Sequence, residues 1–237
     1  MSMRKEYELA IVMPVFNEEE CIVEVVNSWI SMLRESQINF LLLVFNDGST
    51  DSTESCLETF REDQDVEVIA KPNSGHGPTV SQGYHQAVRI ADWVFQCDSD
   101  DEMSPDYFPI LWKRRDSYDA LFGIRTDRSQ NFSRRLISLC SRTTVNIVYG
   151  SGITDVNSPY RLIRGEILEM IIRQLPEDTV APNVIVSGVL ARQSRLVYEH
   201  PVPYRARRTG SVSIVSWTLW KLALKAFQQA LFSRRYS

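Results

Sequence analysis

The chain has 237 residues, of which 43% are hydrophobic and 24% are charged, and its formal net charge is −4. This length and composition are ordinary for a globular protein with a full hydrophobic core, and the chain has no low-complexity segment. The charge is unevenly spread, because residues 200–237 contain seven Lys and Arg and no Asp or Glu, which leaves −11 for residues 1–199. The basic segment favours an anionic surface as its partner. No feature predicts binding to nucleic acid.

The cysteines and the apolar runs narrow the class of protein further. The four cysteines are widely spaced and form no Cys-x-x-Cys pair, which argues against a zinc site and against a disulfide framework. They fit a reduced compartment. No apolar run approaches the ~18–20 residues that span a bilayer, and the N-terminus lacks the apolar run of a signal peptide. We therefore expect a cytoplasmic protein.

Short apolar runs alternate with helical patterns in the first half of the chain. The runs predict buried strands, and apolar residues at helical spacing predict the helices between them. Asn17 is predicted to cap the first helix. The alternation predicts a mostly parallel sheet with helices on both faces. The predicted strands span residues 9–14, 40–45, 66–69 and 91–97, and the last of the helices between them spans 79–90.

The second half of the chain has a less regular pattern. Residues 184–192 are ambiguous between strand and helix, with helix favoured, and the prolines of residues 201–204 predict an extended segment. The other predicted elements are a strand at 119–124, helices at 132–149 and 166–174, and a strand-containing stretch at 153–163.

Polar loops follow all four predicted strands of the first half. Ligands of parallel sheets bind outside the carboxyl ends of the strands, so the sequence predicts one binding site formed by these loops. The loops comprise residues 14–18, 46–49, 71–77 and 98–102.

The loop after the fourth strand is strongly acidic. Asp98, Asp100 and Glu102 lie between this strand and a helix that is predicted to begin at Ser104. Residues two apart in an extended segment point to the same side, so these carboxylates repel one another unless a cation lies between them. Oxygen ligands with room for water suit Mg²⁺ or Mn²⁺, which usually also binds a substrate phosphate. The alternative is an acidic, solvated start of a helix without a metal.

Several short motifs follow one another along the chain, and their ordered combination is specific although each is weak alone. They are residues 11–19 (IVMPVFNEE), 46–51 (NDGSTD), 98–100 (DSD), 155–161 (DVNSPYR), 199–202 (EHPV) and 207–213 (RRTGSVS). With them the sequence resembles the family-two inverting glycosyltransferases with the GT-A fold. Within that family it is most similar to the dolichyl- or polyprenyl-phosphate sugar synthases.

The resemblance implies an α/β fold of the GT-A type, with a mostly parallel, Rossmann-like sheet and helices on both faces. A single catalytic domain would span residues 1–212, with a nucleotide-sugar-binding half at 1–103 and an acceptor-binding half at 104–212. The activity implied is metal-dependent transfer of a sugar from a UDP- or GDP-sugar to an acceptor. A polyprenyl phosphate at the cytoplasmic face of the membrane is the favoured acceptor.

The resemblance also implies roles for individual residues of the first half. The residues implied to bind the nucleotide-sugar are Pro14, Phe16, Glu18, Asp47, Asp98 and Ser99. A metal held by Asp98, Asp100 and Glu102 would neutralise charge on the departing nucleoside diphosphate. The alternative for Asp47 is a plain turn. His76 is interpreted as a loop histidine rather than as a donor contact.

Arginines of the second half are implied to act on the phosphates. Arg125 and Arg161 are assigned to catalysis together with Asp100, and guanidinium forks suit a phosphate acceptor. The alternative for each arginine is a solvated surface position. The residues assigned to the acceptor or diphosphate are Arg135, Arg205, Arg207 and Ser211.

The type of acceptor decides whether a general base is needed. A lipid phosphate is already an anion at neutral pH, so positioning and the metal would suffice. A sugar hydroxyl needs a base to take its proton, and Asp178 in the pair Glu177-Asp178 is the candidate. A non-catalytic module that binds nucleotide-sugar is the alternative from another class.

Residues 213–237 have the pattern of a basic amphipathic helix. Large apolar residues recur at helical spacing, and Lys and Arg supply the only charges. This composition suits a helix that lies in a bilayer interface, which predicts a peripheral protein at the inner face of the membrane. The alternative is a helix that packs on the core of the protein itself or on a partner subunit of an oligomer.

Overall fold

Seven strands form one mixed sheet in the computed structural model, which describes residues 5–126, 153–173, 175 and 179–204. The strands are β1 (Tyr7–Val15), β2 (Phe40–Asp47), β3 (Val66–Lys71), β4 (Ala91–Gln96), β5 (Ala120–Thr126), β6 (Arg161–Arg164) and β7 (Val197–Pro203). Their order across the sheet is β3-β2-β1-β4-β6-β5-β7.

Helices cover both faces of this sheet. The α-helices of the described ranges are α1 (Ile22–Glu35), α2 (Thr53–Leu57), α3 (His76–Ile90), α4 (Phe108–Trp112), α5 (Gly165–Ile172) and α6 (Pro182–Arg192). Apolar residues of α1, α2 and α4 share one buried cluster with Leu9, Ile11 and Met13 of β1. Those of α3, α5 and α6 share a second cluster with Ala10 and Val12. The two clusters lie on opposite faces because side chains alternate along a strand.

The first four strands run in the same direction. β1 pairs in parallel with β2 and with β4, and β2 pairs in parallel with β3. Their carboxyl ends therefore lie at one edge of the sheet. β5 and β7 are also parallel to each other. The prediction of a mostly parallel sheet with helices on both faces is confirmed.

β6 is an antiparallel strand inserted between β4 and β5. Gln96 at the end of β4 lies opposite Arg161 at the start of β6. Because β6 runs the other way, the loop that enters it lies at the edge where β4 ends. Residues 153–160 therefore join the same edge as the loops that follow the parallel strands.

An aromatic cluster fixes the end of β4. The ring of Phe95 lies 5.2 Å from Trp29 of α1, 4.8 Å from Phe108 of α4 and 4.8 Å from Tyr160, measured between centroids. All four side chains are buried. Edge-to-face and tilted contacts of this kind favour one arrangement of the rings. The cluster therefore holds the strand end from which the acidic loop begins.

The first helix begins later than the sequence predicts. α1 starts at Ile22, and its N-cap residue Cys21 makes no side-chain capping hydrogen bond. Asn17 has a φ of 56°, and its Oδ1 accepts a hydrogen bond from Thr50 N at 2.8 Å. Its side chain therefore joins two loops instead of capping α1, because a partner became available from a distant part of the chain.

The later predictions are confirmed where they fall within the described residues. Residues 184–192 are helical in α6, and residues 201–203 are extended in β7. The predicted helices at 132–149 and 213–237 lie outside the described residues, and the boundaries at 103 and 212 stay predictions. No helix in the part of the chain that the structure describes is long and apolar enough to cross a bilayer.

Candidate active site

Four loops meet at the carboxyl edge of the parallel strands. They are residues 16–21, 48–52, 72–75 and 97–104, which follow β1, β2, β3 and β4 in that order. Hydrogen bonds join the first loop to the second and to α2, because Asn17 N donates to Ser49 Oγ at 3.0 Å and Glu18 N donates to Thr53 Oγ1 at 2.9 Å. The segments that follow β1 and β2 are therefore directly connected.

The loop after β1 carries two of the predicted donor-binding residues. Pro14 is buried within β1 itself, whereas Phe16 is 38% exposed. Glu18 is buried, and Cys21 Sγ lies 3.5 Å from Glu18 Oε2 and 3.6 Å from Ser99 O. The thiol thus joins the loop after β1 to the acidic loop after β4.

The carboxylate of Asp47 is enclosed by the loop after β3. It forms a buried ion pair with Lys71 and accepts hydrogen bonds from Ser74 N and Gly75 N, each at 2.9 Å. The residue is only 3% exposed. Asp47 therefore fastens the end of β2 to the loop after β3, and a contact with a nucleotide would be additional to these bonds.

The charge of Asp47 is maintained by its partners. Burial opposes the charge, but the hydrogen bonds from Lys71, Ser74 and Thr79 outweigh it, so the pKa of Asp47 lies below its ordinary value of 3.8. The carboxylate is ionised at neutral pH, and the ion pair with Lys71 is therefore intact there.

The predicted turn after β2 is present and requires glycine. Asn46 Oδ1 accepts a hydrogen bond from Ser49 N at 3.1 Å. Gly48 has a φ of 68°, and a Cβ atom there would lie 2.7 Å from Asn73 N. Both the backbone conformation and the close approach exclude a larger residue without strain.

Asp98 begins the acidic loop and has partners on two sides. Gln96 Nε2 donates to Asp98 Oδ1 at 3.3 Å, and His76 Nε2 lies 3.1 Å from the same oxygen. His76 is the first residue of α3, and its side chain is exposed. The imidazole thus contacts a predicted metal ligand, which differs from the interpretation of His76 as a plain loop histidine.

The electrostatics of this pair favour the charged form of both groups. Burial opposes the charge of Asp98, but the hydrogen bond and charge of His76 and the charge of Arg125 lower its pKa. Partial loss of water around the ring also opposes the charge of His76, but the hydrogen bond and charge of Asp98 and the charge of Asp100 raise its pKa. The Asp98 carboxylate is therefore ionised at neutral pH.

The three predicted metal ligands do not form one cluster that could hold an ion. Tyr204 Oη donates to Glu102 Oε1 at 2.6 Å, and Glu102 N donates to Asp100 Oδ1 at 3.2 Å. Within the described residues no three His, Cys, Asp or Glu side chains form a group that could hold a metal ion. Mg²⁺ is usually bound by one or two carboxylates plus substrate phosphates. The acidic loop therefore fits an ion that binds together with a diphosphate.

Arg125 is held near the acidic loop by a bidentate ion pair. Its Nε and Nη2 donate to the two oxygens of Asp155 at 2.9 and 3.0 Å. The carboxylate of Glu199 in turn accepts from Thr154 N at 2.7 Å and from Thr154 Oγ1 at 2.8 Å. The side chain of Arg125 is 16% exposed, and its charge lowers the pKa of Asp98. Arg125 is thus a fixed cation of this edge.

Arg161 is fully buried, which differs from its predicted catalytic contact. Its guanidinium donates to Ser158 O at 2.8 Å, Asn183 O at 3.1 Å and Val156 O at 3.2 Å. It also lies 4.7 Å from the ring centroid of Phe122. Burial lowers the pKa of Arg161. These contacts give the residue a structural role, because every part of the fork binds backbone carbonyls of the interior.

Lys71, Gln96 and Asp155 belong to this edge but were not among the predicted site residues. Lys71 lies at the end of β3, next to the loop that its partner Asp47 binds. Gln96 is an amide in a strand whose other buried residues are apolar, which is the signal by which it could have been found. Asp155 opens the motif at 155–161, in which only the arginine was assigned a role.

Other predicted site residues fall outside the described residues. This set comprises Arg135, Asp178, Arg205, Arg207 and Ser211. Their roles stay predictions.

The sequence model of Glycosyl transferase family 2 matches this chain over residues 10–172. That is more than half of the 237 residues, so the chain belongs to glycosyl transferase family 2. The family that the ordered motifs resemble is confirmed.

Curated relatives are similar over most of this chain. Undecaprenyl-phosphate 4-deoxy-4-formamido-L-arabinose transferase from Proteus mirabilis is 24% identical over 197 residues, which cover 81% of this chain and 59% of the relative. The protein of the same name from Pectobacterium atrosepticum is 25% identical over 190 residues, covering 78% and 57%. The chain thus spans only part of the length of these relatives.

Solved structures share the fold. Glucosyl-3-phosphoglycerate synthase from Mycobacterium tuberculosis in complex with Mn²⁺, uridine diphosphate and phosphoglyceric acid has a TM-score of 0.70 and 19% identity, covering 96% of this chain and 78% of that one. The same enzyme with Mn²⁺ and UDP-glucose has a TM-score of 0.67 and 19% identity, covering 96% and 79%. The predicted GT-A fold is confirmed.

Proposed function

We propose that this chain is a metal-dependent inverting glycosyltransferase that transfers one sugar from a nucleoside-diphosphate sugar to a polyprenyl phosphate. The observation that carries the proposal is the acidic loop of Asp98 and Asp100 at the carboxyl edge of parallel strands in a family-2 chain. The relatives named above are transferases to undecaprenyl phosphate by name, which supports a lipid phosphate as the acceptor.

The donor would bind over the loops after β1 and β4. Phe16 offers a partly exposed ring to a base, and the Glu18 carboxylate can accept from a base N–H or a ribose hydroxyl. Ser99 lies beside Asp98 in the acidic loop. Asp47 contributes by fixing the loop after β3. A UDP- or GDP-sugar is the expected donor.

Asp98 and Asp100 are the residues that would hold Mg²⁺ or Mn²⁺. Such an ion would neutralise the charge that develops on the departing nucleoside diphosphate. The protein's own contribution is to keep Asp98 ionised and oriented, through His76, Gln96 and Arg125.

The acceptor phosphate needs positive charge and no general base. One of its oxygens would form a bond to the anomeric carbon while the bond from that carbon to the diphosphate breaks, and the electron pair would leave with the nucleoside diphosphate. Arg125, held by Asp155, supplies a fixed cation for this step, and holding the two reactants together supplies much of the rate. The residues proposed to add contacts to acceptor or diphosphate are Arg135, Arg205, Arg207 and Ser211.

A hydroxyl group is the second candidate acceptor. The Mycobacterium tuberculosis enzyme with the same fold was solved with phosphoglyceric acid, which is not a lipid. A hydroxyl acceptor must lose its proton to a base, and Asp178 is the candidate for that role.

Thermal unfolding with UDP, GDP, dTDP and CMP, each with and without Mn²⁺, tests the donor site. A ligand that binds only the native state raises stability by about 2.7 kcal/mol at a hundred times its dissociation constant. A Mn²⁺-dependent shift for one nucleoside diphosphate is expected, and Asp100→Asn should lose it while keeping the unfolding temperature of the free protein. Absence of any shift would contradict the proposal.

Transfer of labelled sugar distinguishes the acceptors. The expected product with undecaprenyl phosphate in detergent is a labelled lipid that partitions into organic solvent. Product with a hydroxyl acceptor alone, and its loss in Asp178→Asn, would favour the second candidate. Donor binding without turnover on either acceptor would favour the non-catalytic binding module.

We also propose that residues 213–237 bind the inner surface of the membrane. The support is their basic amphipathic pattern. The intact protein should float with anionic liposomes more than a chain truncated after Gly210. Equal recovery of the two chains would contradict this part of the proposal.

A further inference from the structure

We infer that Gln96 is a positioning residue that orients the carboxylate of Asp98, and that Asn183 and Tyr84 fix the direction of the Gln96 amide. The inference rests on the proposed function, because it concerns how the chain presents Asp98 to a metal and a donor. The Gln96 amide lies inside the protein, away from the exposed edge, yet it would act on a residue of the site.

Tyr84, Gln96 and Asn183 form a closed polar trio in the interior. Asn183 Nδ2 donates to Gln96 Oε1 at 2.8 Å, and the single proton of Tyr84 Oη lies within reach of Asn183 Oδ1 at 2.8 Å and of Gln96 Oε1 at 3.0 Å. The residues are 1%, 0% and 4% exposed, in that order. They come from α3, β4 and α6. Three separate elements therefore converge on one amide.

The trio determines which end of the Gln96 amide faces Asp98. The carbonyl oxygen Oε1 is fixed by the donors of Asn183 and Tyr84, so Nε2 points to Asp98 Oδ1. A flipped amide would set an oxygen against the Asp98 carboxylate and an NH₂ group against that of Asn183. Both contacts are repulsive, so one direction of the amide is strongly favoured.

Two groups hold Asp98 through one oxygen. Within the described part of the chain, the hydrogen bonds to this carboxylate come from Gln96 and from His76, and both reach Oδ1. Gln96 approaches from the interior, whereas His76 is exposed. A neutral amide orients the carboxylate without cancelling its charge. Partners of this kind typically hold metal-binding side chains in place.

A purely structural link between the helices and β4 would not require polar side chains. Apolar groups of similar shape can replace a buried hydrogen-bonded pair at nearly no cost in stability, and buried amides are costly unless every group is satisfied. Arg161 reinforces the arrangement, because its Nη1 donates to Asn183 O at 3.1 Å and to Ser187 Oγ at 3.3 Å. This fixes the first turn of α6, on which Asn183 lies.

The test is the affinity for Mn²⁺ of the full-length protein in the presence of saturating nucleoside diphosphate, measured by the electron paramagnetic resonance signal of free Mn²⁺. Gln96→Met, which keeps the size of the side chain, is expected to weaken Mn²⁺ binding about 10-fold. Gln86→Met is the matched control, because it makes the same change on α3 at a glutamine that donates to Glu67 and not to Asp98. The control is expected to keep the wild-type affinity.

Wild-type affinity in Gln96→Met, or an equal loss in Gln86→Met, would overturn the inference and leave the proposed function standing. Failure of the wild-type chain to bind Mn²⁺ with any nucleoside diphosphate would overturn both. If Gln96→Met does not fold, the Mn²⁺ affinity of Asn183→Leu is measured instead, because loss of the Asn183 amide frees the Gln96 amide to flip. A smaller loss of Mn²⁺ affinity supports the inference, and an unchanged affinity overturns it.

Discussion

Asp47 ends β2 and Asp98 follows β4, so both lie at the same edge of the sheet, but the protein uses their carboxylates differently. Asp47 is paired with a lysine and with two backbone N–H groups in the interior. Asp98 is held by a neutral amide and by an exposed imidazole. The first carboxylate is surrounded by a loop, whereas the second lies in a half-exposed position where a ligand can reach it.

An acidic motif at a strand end therefore has two separate uses. A carboxylate that is fully bonded within the protein fixes the shape of the site, since breaking its bonds would cost stability. A carboxylate that is held by an amide and by an exposed side chain remains within reach of a ligand. We expect Asp47 to govern folding stability and Asp98 to govern binding, and the following predictions test that division.

The largest expected effect is on stability at Asp47. Asp47→Ala leaves the largely buried Lys71 charge without its counter-ion and two backbone N–H groups without their acceptor, so the free energy of unfolding should fall by about 3–5 kcal/mol. Urea unfolding measures this. Lys71→Met should cost less, because Asp47 keeps its backbone donors. A larger loss in Lys71→Met than in Asp47→Ala would contradict the assignment.

Substitution of Asp98 should affect binding instead. Asp98→Asn removes the charge but keeps an oxygen for His76 and Gln96, so Mn²⁺-dependent transfer should fall ~100-fold. The free energy of unfolding without ligand should stay within about 0.5 kcal/mol of wild type. Steady-state transfer rates and urea unfolding check the two parts. Loss of stability with retained transfer would contradict this division of roles between Asp47 and Asp98.

Tyr204→Phe tests whether Glu102 fixes the shape of the site, as Asp47 does, or is available to a ligand, as Asp98 is. Removing the hydroxyl that donates to Glu102 should lower the free energy of unfolding by about 1 kcal/mol. Mn²⁺-dependent nucleotide binding, measured by the thermal shift, should stay unchanged if Glu102 belongs to the scaffold. A change in Mn²⁺ affinity would support the prediction that Glu102 is a metal ligand.

The smallest expected effect is a pH dependence of stability. The folded-state pKa of Asp47 is lowered below its ordinary value of 3.8, so its stabilising contribution is fully present above that value and is lost as the pH falls through the folded-state pKa. The stability difference between the wild type and Asp47→Asn should therefore narrow below about pH 3.8. Urea unfolding between pH 6 and pH 2.5 would show it. A constant difference would mean that Asp47 does not carry this linkage.

The strands were predictable because their signal is local. Runs such as residues 40–45 are apolar throughout, and a strand buried on both faces of a parallel sheet has that pattern. The edge of the sheet that holds the site was predictable from the alternation of strands and helices, because the carboxyl ends of parallel strands lie together. The family motifs added the identity of the fold, which local patterns alone do not specify.

The roles of single charged residues were harder to predict, because they depend on partners far along the chain. Arg161 donates to backbone carbonyls that surround it only in the folded protein. Asp47 finds Lys71 from another strand. His76 reaches Asp98 only because α3 begins beside β4. None of these distances can be deduced from composition or periodicity.

The insertion of β6 between β4 and β5 has a consequence for synthesis of the chain. β4 emerges long before β6, so one edge of a mostly buried strand has no partner while residues 97–160 are being made. Unpaired strand edges on incomplete folds are sites of aggregation. The arrival of residues 161–164 closes that edge and brings the loop of Asp155 to the acidic loop. For the newly made chain, protection from aggregation and completion of the candidate site are therefore the same event.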